Sequence, residues 1–471
     1  MPQDPKAQQR AGRELRRHVP RSSHGTWEPA RDRPDPILVL EAQDKRRLPS
    51  LVPVRWGRMA ASPFAFLRGS AAVMARDLAP TPLTGLVVQA CGDAHVANFG
   101  LFASPERNLL FDVNDFDETF PGPWEWDLKR LATSAVVAAR TAGLSEAEGI
   151  AATRAGVHSY RRRMADYAQM PTLEVWYSRV DAQGAMKALG GSARAGAPVR
   201  SAILRAERRT SVAGLPRLTV DAGHGQLRIA DHPPLVTHEL TADHKRLLDS
   251  IIHTYRESLE DSRRVLLEKF DVVDFALKVV GVGSVGTRCF VALLVSERGD
   301  PLFLQVKEAE RSALDGWVPA RQAHTDTGGR RARSEVGGAP SVQRRVEPQG
   351  RRVVTGQRLM QADSDIFLGW ASAEGFDYYV RQLWDMKGSV DLSSVKGPAF
   401  ADYLELCGWT LARAHARTGD VPAIAGYMGS GTAFDDAIVR FACAYADQTE
   451  RDHARLTEAV RQGRVQAETG V

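Results

Sequence analysis

The sequence predicts an α+β protein built as two lobes, one β-rich and one larger and helical. Three observations predict this. Strand-like runs rich in Val, Leu and Phe, punctuated by glycine-containing turns, concentrate between residues 271 and 399. Apolar residues recur at helical spacing in residues 124–139 and again from about residue 400. The 471 residues, 43 % hydrophobic and 25 % charged, are ordinary globular composition and enough for two or three packed units.

Taken in order, residues 1–35 are rich in Arg, Pro and Gln without periodicity, and read as a disordered tail. Residues 36–270 form the helical lobe. Helices with loops near Pro53 and Pro63 fill 36–80, and the run LTGLVVQACGD then reads as a buried strand that stops at polar residues. NFGLFAS and NLLFDVND, separated by PER, read as a hairpin. Leu128, Leu131, Ala132, Ala135 and Val136 mark an amphipathic helix after it. Helix continues through 145–190, whereas 191–236, rich in Gly, Arg and Pro, holds short strands at best. One long helix is expected from Thr241, its N-cap, to Lys269, with Leu247, Leu248, Ile251, Ile252, Tyr255 and Leu259 as its apolar stripe. Residues 271–399 form the β-rich lobe, in which VVTGQRLM and FDYYVRQLW also read as strands. Within it, 311–352 is dense in Arg and Gly and almost free of apolar residues. It reads as a disordered insert, or as a reading-frame slip in the gene between about Gly316 and Arg352. Residues 400–471 are helical and are expected to pack on the helical lobe.

Composition narrows the function. The net charge of +5 is mild for this length, and the basic stretches lack the interleaved aromatics that stack on bases, so nucleic acid is not an expected partner. The longest run free of Asp, Glu, Lys and Arg, Leu78 to Gly92, is too short and too broken by proline to cross a bilayer, so no membrane partner is expected. The four cysteines, Cys91, Cys289, Cys407 and Cys443, form no C-x-x-C pair. With an N-terminus lacking the apolar core of a signal peptide, they point to a reducing cytoplasm.

Four signals carry chemistry. In CGDAHVANFG, Asp93 and Asn98 have the D-x-x-x-x-N spacing of a kinase catalytic loop, in which the Asp orients the attacking hydroxyl and the Asn presents its amide oxygen to magnesium. Asp115 closes the second strand of the hairpin, where a carboxylate would hold Mg²⁺ on the phosphates; Asp112 and Asp117 compete for that role. Gly281, Gly283 and Gly286 form a G-x-G-x-x-G between two strands, the setting of a phosphate-covering loop rather than of a dinucleotide fold. Lys307 stands in the apolar strand LFLQVKEA, where a buried ammonium needs an anionic partner such as the α/β-phosphates.

These residues resemble the protein-kinase-like superfamily, and its aminoglycoside and choline kinase branch in particular. Cys91-Gly-Asp-Ala-His-Val-Ala-Asn98 is similar to the H-G-D-x-H-x-x-N loop of that branch, Asn114-Asp115-Phe116 to its I-D-F, and Pro123-Trp-Glu-Trp-Asp127-Leu128 to its P-x-x-x-D-L helix start. The chain as a whole also resembles the uncharacterised bacterial domain-of-unknown-function family 2252, through segments such as RMAASPFAFLRG, FLQVKEA and GQRLMQADSDIFLGW. The resemblance implies a two-lobed kinase-like fold that binds ATP and Mg²⁺ and phosphorylates an unidentified small-molecule hydroxyl acceptor. Asp93 and Asn98 would be catalytic, Asn98 and Asp115 metal-binding, and Gly281, Gly283, Gly286 and Lys307 nucleotide-binding. The motif order is inverted relative to kinases, which implies circular permutation, with the helix YLELCGWTLARAHAR returning beneath the Asp93 loop. Cys91 replaces a His, and no helix-borne Glu is evident as a partner for Lys307. The missing Glu keeps open a pseudokinase that binds nucleotide without turnover. Asp93-Ala-His95, a D-x-H pair, keeps open a metal-dependent phosphoesterase. His415 reads as a helix-packing residue, and Arg58, Arg68, Arg381 and Lys387 take no assigned role.

Overall fold

The computed structural model describes residues 4–181, 184, 197–223, 226–239, 242–319, 347–383, 385–392 and 397–470. The elements are mixed α and β, as expected. The helical body opens with α1 (Pro5–Glu14), α2 (Pro36–Asp44), α3 (Val52–Ala60), α4 (Pro63–Gly69) and α5 (Ala71–Leu78). Strand β1 (Val87–Ala90) pairs antiparallel with β4 (Phe120–Pro123), and between them lies the hairpin of β2 (Phe99–Ala103) and β3 (Leu109–Val113). The buried helices α6 (Trp124–Thr141) and α7 (Glu146–Tyr167) follow, then the short α8 (Thr172–Tyr177).

A connecting region holds α9 (Ala197–Glu207), α10 (Ser211–Leu218), β5 (Thr219–Asp221), β6 (Leu227–Ile229) and β7 (Val236–Thr237). It leads to α11 (Ala242–Glu257) and α12 (Asp261–Leu267). Then come β8 (Phe270–Lys278), β9 (Cys289–Ser296), β10 (Pro301–Glu308), α13 (Gln349–Met360), β11 (Gly369–Ala373), β12 (Phe376–Gln382) and β13 (Gly388–Ser389). These strands build a six-stranded antiparallel sheet in the order β11-β12-β10-β9-β8-β7, while β13 leaves it to pair with β2. Both faces of the sheet are covered, which is why Phe290–Val295 of β9 and Leu302–Leu304 of β10 run apolar without alternating. Phe290, Ala292, Leu294 and Leu304 meet Leu247, Leu248, Ile251 and Tyr255 of α11, whereas Val291, Leu293 and Phe303 pack on Ile229 from the connecting region. Each fully buried Leu or Ile in these layers contributes roughly 1.5–3 kcal/mol.

The chain closes with α14 (Pro398–Ala416), α15 (Val421–Met428) and α16 (Ala433–Arg461). Helix α14 lies along α7 and touches β1 and β3. Leu404, Leu411 and their neighbours are buried in the same core as Val96, Phe99 and Phe111. The Tyr403 hydroxyl donates to Val96 O at 2.7 Å, which brings this helix to the Asp93 loop across more than three hundred residues of sequence.

Several expectations are corrected. The stretch read as a disordered tail is folded: α1 rests on α15, and the fit depends on a close approach, because a Cβ on Gly12 would stand 2.0 Å from Ala423 O. Its arginines supply the rest. Arg16 donates to Tyr427 O and Gly426 O, and Arg33 bridges the buried Asp77 and Asp452. Small residues and charge-to-carbonyl contacts leave no apolar period to read. VVTGQRLM is not a strand but the body of α13, and its buried Val353, Val354, Gln357 and Met360 are spaced for one helix face. The expected long helix is two helices, broken where Ser258 Oγ donates to Tyr255 O and accepts from Trp370 N. Residues 197–218, expected to hold short strands at best, form α9 and α10. The flanks of the expected disordered insert are ordered: Ser312 donates to Glu118 O at 2.7 Å, Leu314 is buried, and α13 begins at Gln349. The insert's interior, 320–346, and the expected N-cap Thr241 lie outside the described residues.

A side chain at Gly12 should separate α1 from α15. Gly12→Leu is expected to lower unfolding stability by about 1–3 kcal/mol, read as a reduced denaturant midpoint with an unchanged slope.

Candidate functional site

The site grows from the end of β1. There the chain turns at Gly92, whose φ of +82° is a left-handed conformation that suits glycine, and the turn is fixed by a buried carboxylate. Asp127, in the first turn of α6, accepts from Cys91 N at 2.6 Å and Gly92 N at 2.9 Å. Its orientation is set in turn by His415 Nε2 of α14 at 3.0 Å, and the other ring nitrogen of His415 meets the Tyr160 hydroxyl. His415, expected only to pack, thus buttresses the loop through Asp127.

Asp93 follows at once. Arg130 holds its carboxylate, with Nε to Oδ1 at 2.8 Å. Burial raises the Asp93 pKa above its ordinary value, and the Arg130 charge offsets part of that rise. Asn98 Nδ2 donates to Asp93 O at 2.6 Å, which leaves the amide oxygen available to a cation, and Asn114 N donates to Asn98 O at 2.9 Å. The hairpin register, Phe99 opposite Val113, therefore delivers Asp115 beside Asn98. His95 is buried, and burial together with Arg68 and Arg130 lowers its pKa well below the usual range. It is therefore neutral, and its Nε2, 3.7 Å from Asp93 Oδ2, makes no charge pair.

Lys307 enters from the central strand β10, opposite Tyr379 of β12. It is 3 % exposed, and its ammonium reaches the hairpin: it donates to Asp117 and lies 3.9 Å from Asp115 Oδ2. Asp117 also accepts from the Tyr379 hydroxyl at 2.7 Å and from Ser284 Oγ of the glycine loop at 3.0 Å. Burial opposes both charges, but their mutual attraction outweighs it, so the Asp117 pKa lies below and the Lys307 pKa above the ordinary values. Asp117 is therefore the acid that pairs Lys307. It comes from the loop after β3, whereas α13 places Arg352 there, whose guanidinium donates to Asp117 O and Thr119 O.

The glycine loop roofs a polar cleft whose walls include Gly281, Gly283, Asp93, Asn98 and Asp115. Gly286 is set back, at φ +90° against the Arg47 side chain. Lys307 joins the cleft through Asp115 and Asp117. Five of the seven residues singled out from sequence thus line the cleft; Lys307, about two hundred positions from Asp115, stands behind the wall on Asp117 and Asp115, and Gly286 does not line it. Sequence reasoning left Asp117 as a competitor and gave Arg130, Tyr379 and Glu118 no role. No sequence signal separates Asp117 from Asp115, because the two carboxylates leave the same turn two residues apart.

The fold and cleft together define an α+β protein whose polar site lies between a glycine loop and an Asp–Asn loop. The chain belongs to the family described as an uncharacterized protein conserved in bacteria, DUF2252, whose sequence pattern matches residues 47–459 and so takes in every cleft residue named above. No curated protein and no solved structure matches the chain. No helix among the described residues is long and apolar enough to cross a membrane.

Two outcomes follow from this geometry. Asp127→Ala strands two loop amides and a buried His415, each worth about 1–3 kcal/mol when unsatisfied. It should cost about 2–5 kcal/mol of stability by chemical denaturation. Glu118 has its carboxyl lifted by burial to about 7, against an ordinary value of 4.5. The native state then binds the proton more tightly than the unfolded chain, so stability should fall as pH rises from about 4.5 to about 7. Denaturation midpoints across that window should flatten in Glu118→Gln.

Proposed function

We propose that this chain is a kinase-like phosphotransferase that uses ATP and Mg²⁺ to phosphorylate a small-molecule hydroxyl, with its two halves in permuted order. The observation that carries this reading is the convergence of Asp93, Asn98 and Asp115 with the glycine loop on one cleft, with Lys307 reaching Asp115 and Asp117 from behind its wall. The order of elements supports it. Reading from the glycine loop through β10, α13, β11 and β12 to α14, and from there to β1 and the Asp93 loop, gives the kinase sequence of parts once the C-terminal helices are joined to the N-terminal ones.

The residues fit a magnesium ion. Asp115 is partly exposed with no cation nearer than 3.9 Å among the described residues, and Asn98, whose Nδ2 is spent on Asp93 O, lines the same cleft. One carboxylate and one amide oxygen are the sparse set that Mg²⁺ accepts when phosphate oxygens and waters complete its shell. When bound there, the ion would supply positive charge against the phosphates. Asp93, fixed by Arg130, orients the acceptor hydroxyl and takes its proton. Lys307 draws the α/β-phosphates toward β10. A Cβ added to Gly281 would meet no protein atom within 4 Å, so the loop is not packed against protein at that point.

A second reading, nucleotide binding without turnover, is favoured by one observation: Asp117 takes the Lys307 ammonium and ties it to Ser284 of the roof. The two readings separate in one experiment. Thermal shift of the purified chain should rise with Mg-ADP and Mg-ATP and stay flat with Mg²⁺ alone. Asp115→Ala should abolish that rise. Asp93→Ala should keep it and lose phosphoryl transfer by about 10²–10⁴-fold, because a base acts on the chemical step. Stabilisation by Mn²⁺ or Zn²⁺ alone, with no nucleotide effect, would sink both readings.

A further inference from the structure

We propose that Arg68 grips the phosphoryl group during transfer, an arginine finger that the chain supplies to its own cleft; this rests on the kinase-like reading above. Arg68 stands on the last turn of α4, outside every motif that defines the site, yet it lines the cleft. Its backbone carbonyl lies 3.3 Å from where a Cβ on Gly283 would sit, so it lies against the glycine loop. Its charge is felt by Asp93, Asp115 and His95. Arg68 is therefore bracketed by the glycine loop, the proposed base and the proposed metal carboxylate. On the kinase-like reading that bracket surrounds the terminal phosphate.

The neighbouring cations are committed to protein partners. Arg47 binds the loop carbonyls of Gly283 and Val285, Arg130 binds Asp93 and Leu67 O, Arg381 binds Gln305 and Asn114 O, and Arg352 caps the hairpin. The Arg68 guanidinium differs. Its Nε is buried without a hydrogen-bond partner, and none of the hydrogen bonds or ion pairs among the described residues engages the group. Burial lowers the pKa of Arg68, and the carboxylates that counter it stand beyond ion-pair distance. A planar fork of donors with nothing to bind is costly in a protein interior and suited to an oxyanion.

The acceptor oxygen forms a bond to the terminal phosphorus while the bond from phosphorus to the bridging oxygen breaks. The nucleoside diphosphate leaves with that electron pair, and the hydroxyl proton passes to Asp93. Arg68 exchanges no proton; it neutralises the charge spread over the equatorial oxygens, which is greatest midway through transfer.

The test uses the full-length chain and aluminium fluoride, which with Mg-ADP imitates the phosphoryl group in flight. Calorimetry of the wild type should show Mg-ADP binding that aluminium fluoride tightens at least tenfold. Arg68→Gln should bind Mg-ADP within about twofold of wild type and lose the tightening, and its slow ATP hydrolysis should fall by about 10³-fold or more. Arg68→Lys, which keeps the charge without the fork, should recover only part of both, and it serves in place of Arg68→Gln if that variant does not fold. Tightening that survives in Arg68→Gln overturns the proposal. So does a loss of Mg-ADP affinity as large as the aluminium fluoride increment, which would make Arg68 a ground-state anchor. A wild type that binds Mg-ADP with no aluminium fluoride effect overturns this inference and leaves the nucleotide reading standing, whereas a wild type that binds no Mg-ADP removes both.

Discussion

The buried pair between Lys307 and Asp117 is the constraint on which the arrangement of the cleft depends. It joins the central strand of the six-stranded sheet to the hairpin of the helical body, at a seam where Tyr379, Val353 and Met360 also enter the helical core. Burying two charges is expensive, and attraction offsets the cost only where further hydrogen bonds satisfy the remaining lone pairs. The Tyr379 hydroxyl and Ser284 Oγ supply them, so the pair also fixes β12 and the roof of the cleft. Such a contact specifies geometry more than it adds stability, because an apolar pair would hold the two parts together without setting their register.

A second buried carboxylate does for the loop what Asp117 does for the sheet. Asp127 draws α6, α14 and the Cys91–Gly92 turn to one point. The helices that meet there are far apart in sequence, so the loop's shape depends on residues from both ends of the chain. Arg413 adds a parallel tie from α14 to Asp112 on β3. Through these contacts α14 bears on both sides of the hairpin, and the position of Asp115 depends on a helix that begins almost three hundred residues later.

What was legible in the sequence follows from which forces leave periodic marks. The strands of the sheet and the helices α6, α11, α14 and α16 bury apolar stripes, and those stripes have a period. The Asp93–Asn98 spacing and the glycine loop were legible as short local patterns, although of the three glycines only Gly286, at φ +90°, has a backbone that calls for glycine. Helix α1 was hidden because it docks through Gly12 and through arginines on carbonyls, a contact with no apolar signature. Helix α13 was misread because Val353 and Val354 favour strands in isolation, and its helical face emerges only where β11 and β12 cover it. The choice between Asp115 and Asp117 as partner of Lys307 could not be made from spacing, because both leave the same turn and only the reach of the Lys307 side chain from β10 separates them.

The local charge of the cleft runs against that of the whole chain. The protein carries a net +5, yet Asp93, Asp115, Asp117, Glu118, Glu308 and Glu310 all line the cleft. Most cations among them are already neutralised: Lys307 by Asp117, Arg130 by Asp93 and Arg288 by Glu308. A bare triphosphate would meet like charge at close range, where each such contact is unfavourable. The lifted pKa of Glu118 is a symptom, since burial and the Asp117 and Asp93 charges together disfavour one more anion there. On the kinase-like reading this makes the divalent cation a condition of binding rather than an aid to chemistry alone, because only a ligand that brings its own positive charge lowers the energy of the crowded carboxylates. Arg68 is the exception among the cations of the cleft: its charge is built into the chain beside Asp93 and Asp115, and its Nε is held without a hydrogen-bond partner. On the same reading, part of the positive charge is in place before a polyphosphate and its cation arrive, which favours one orientation of the ligand by electrostatics.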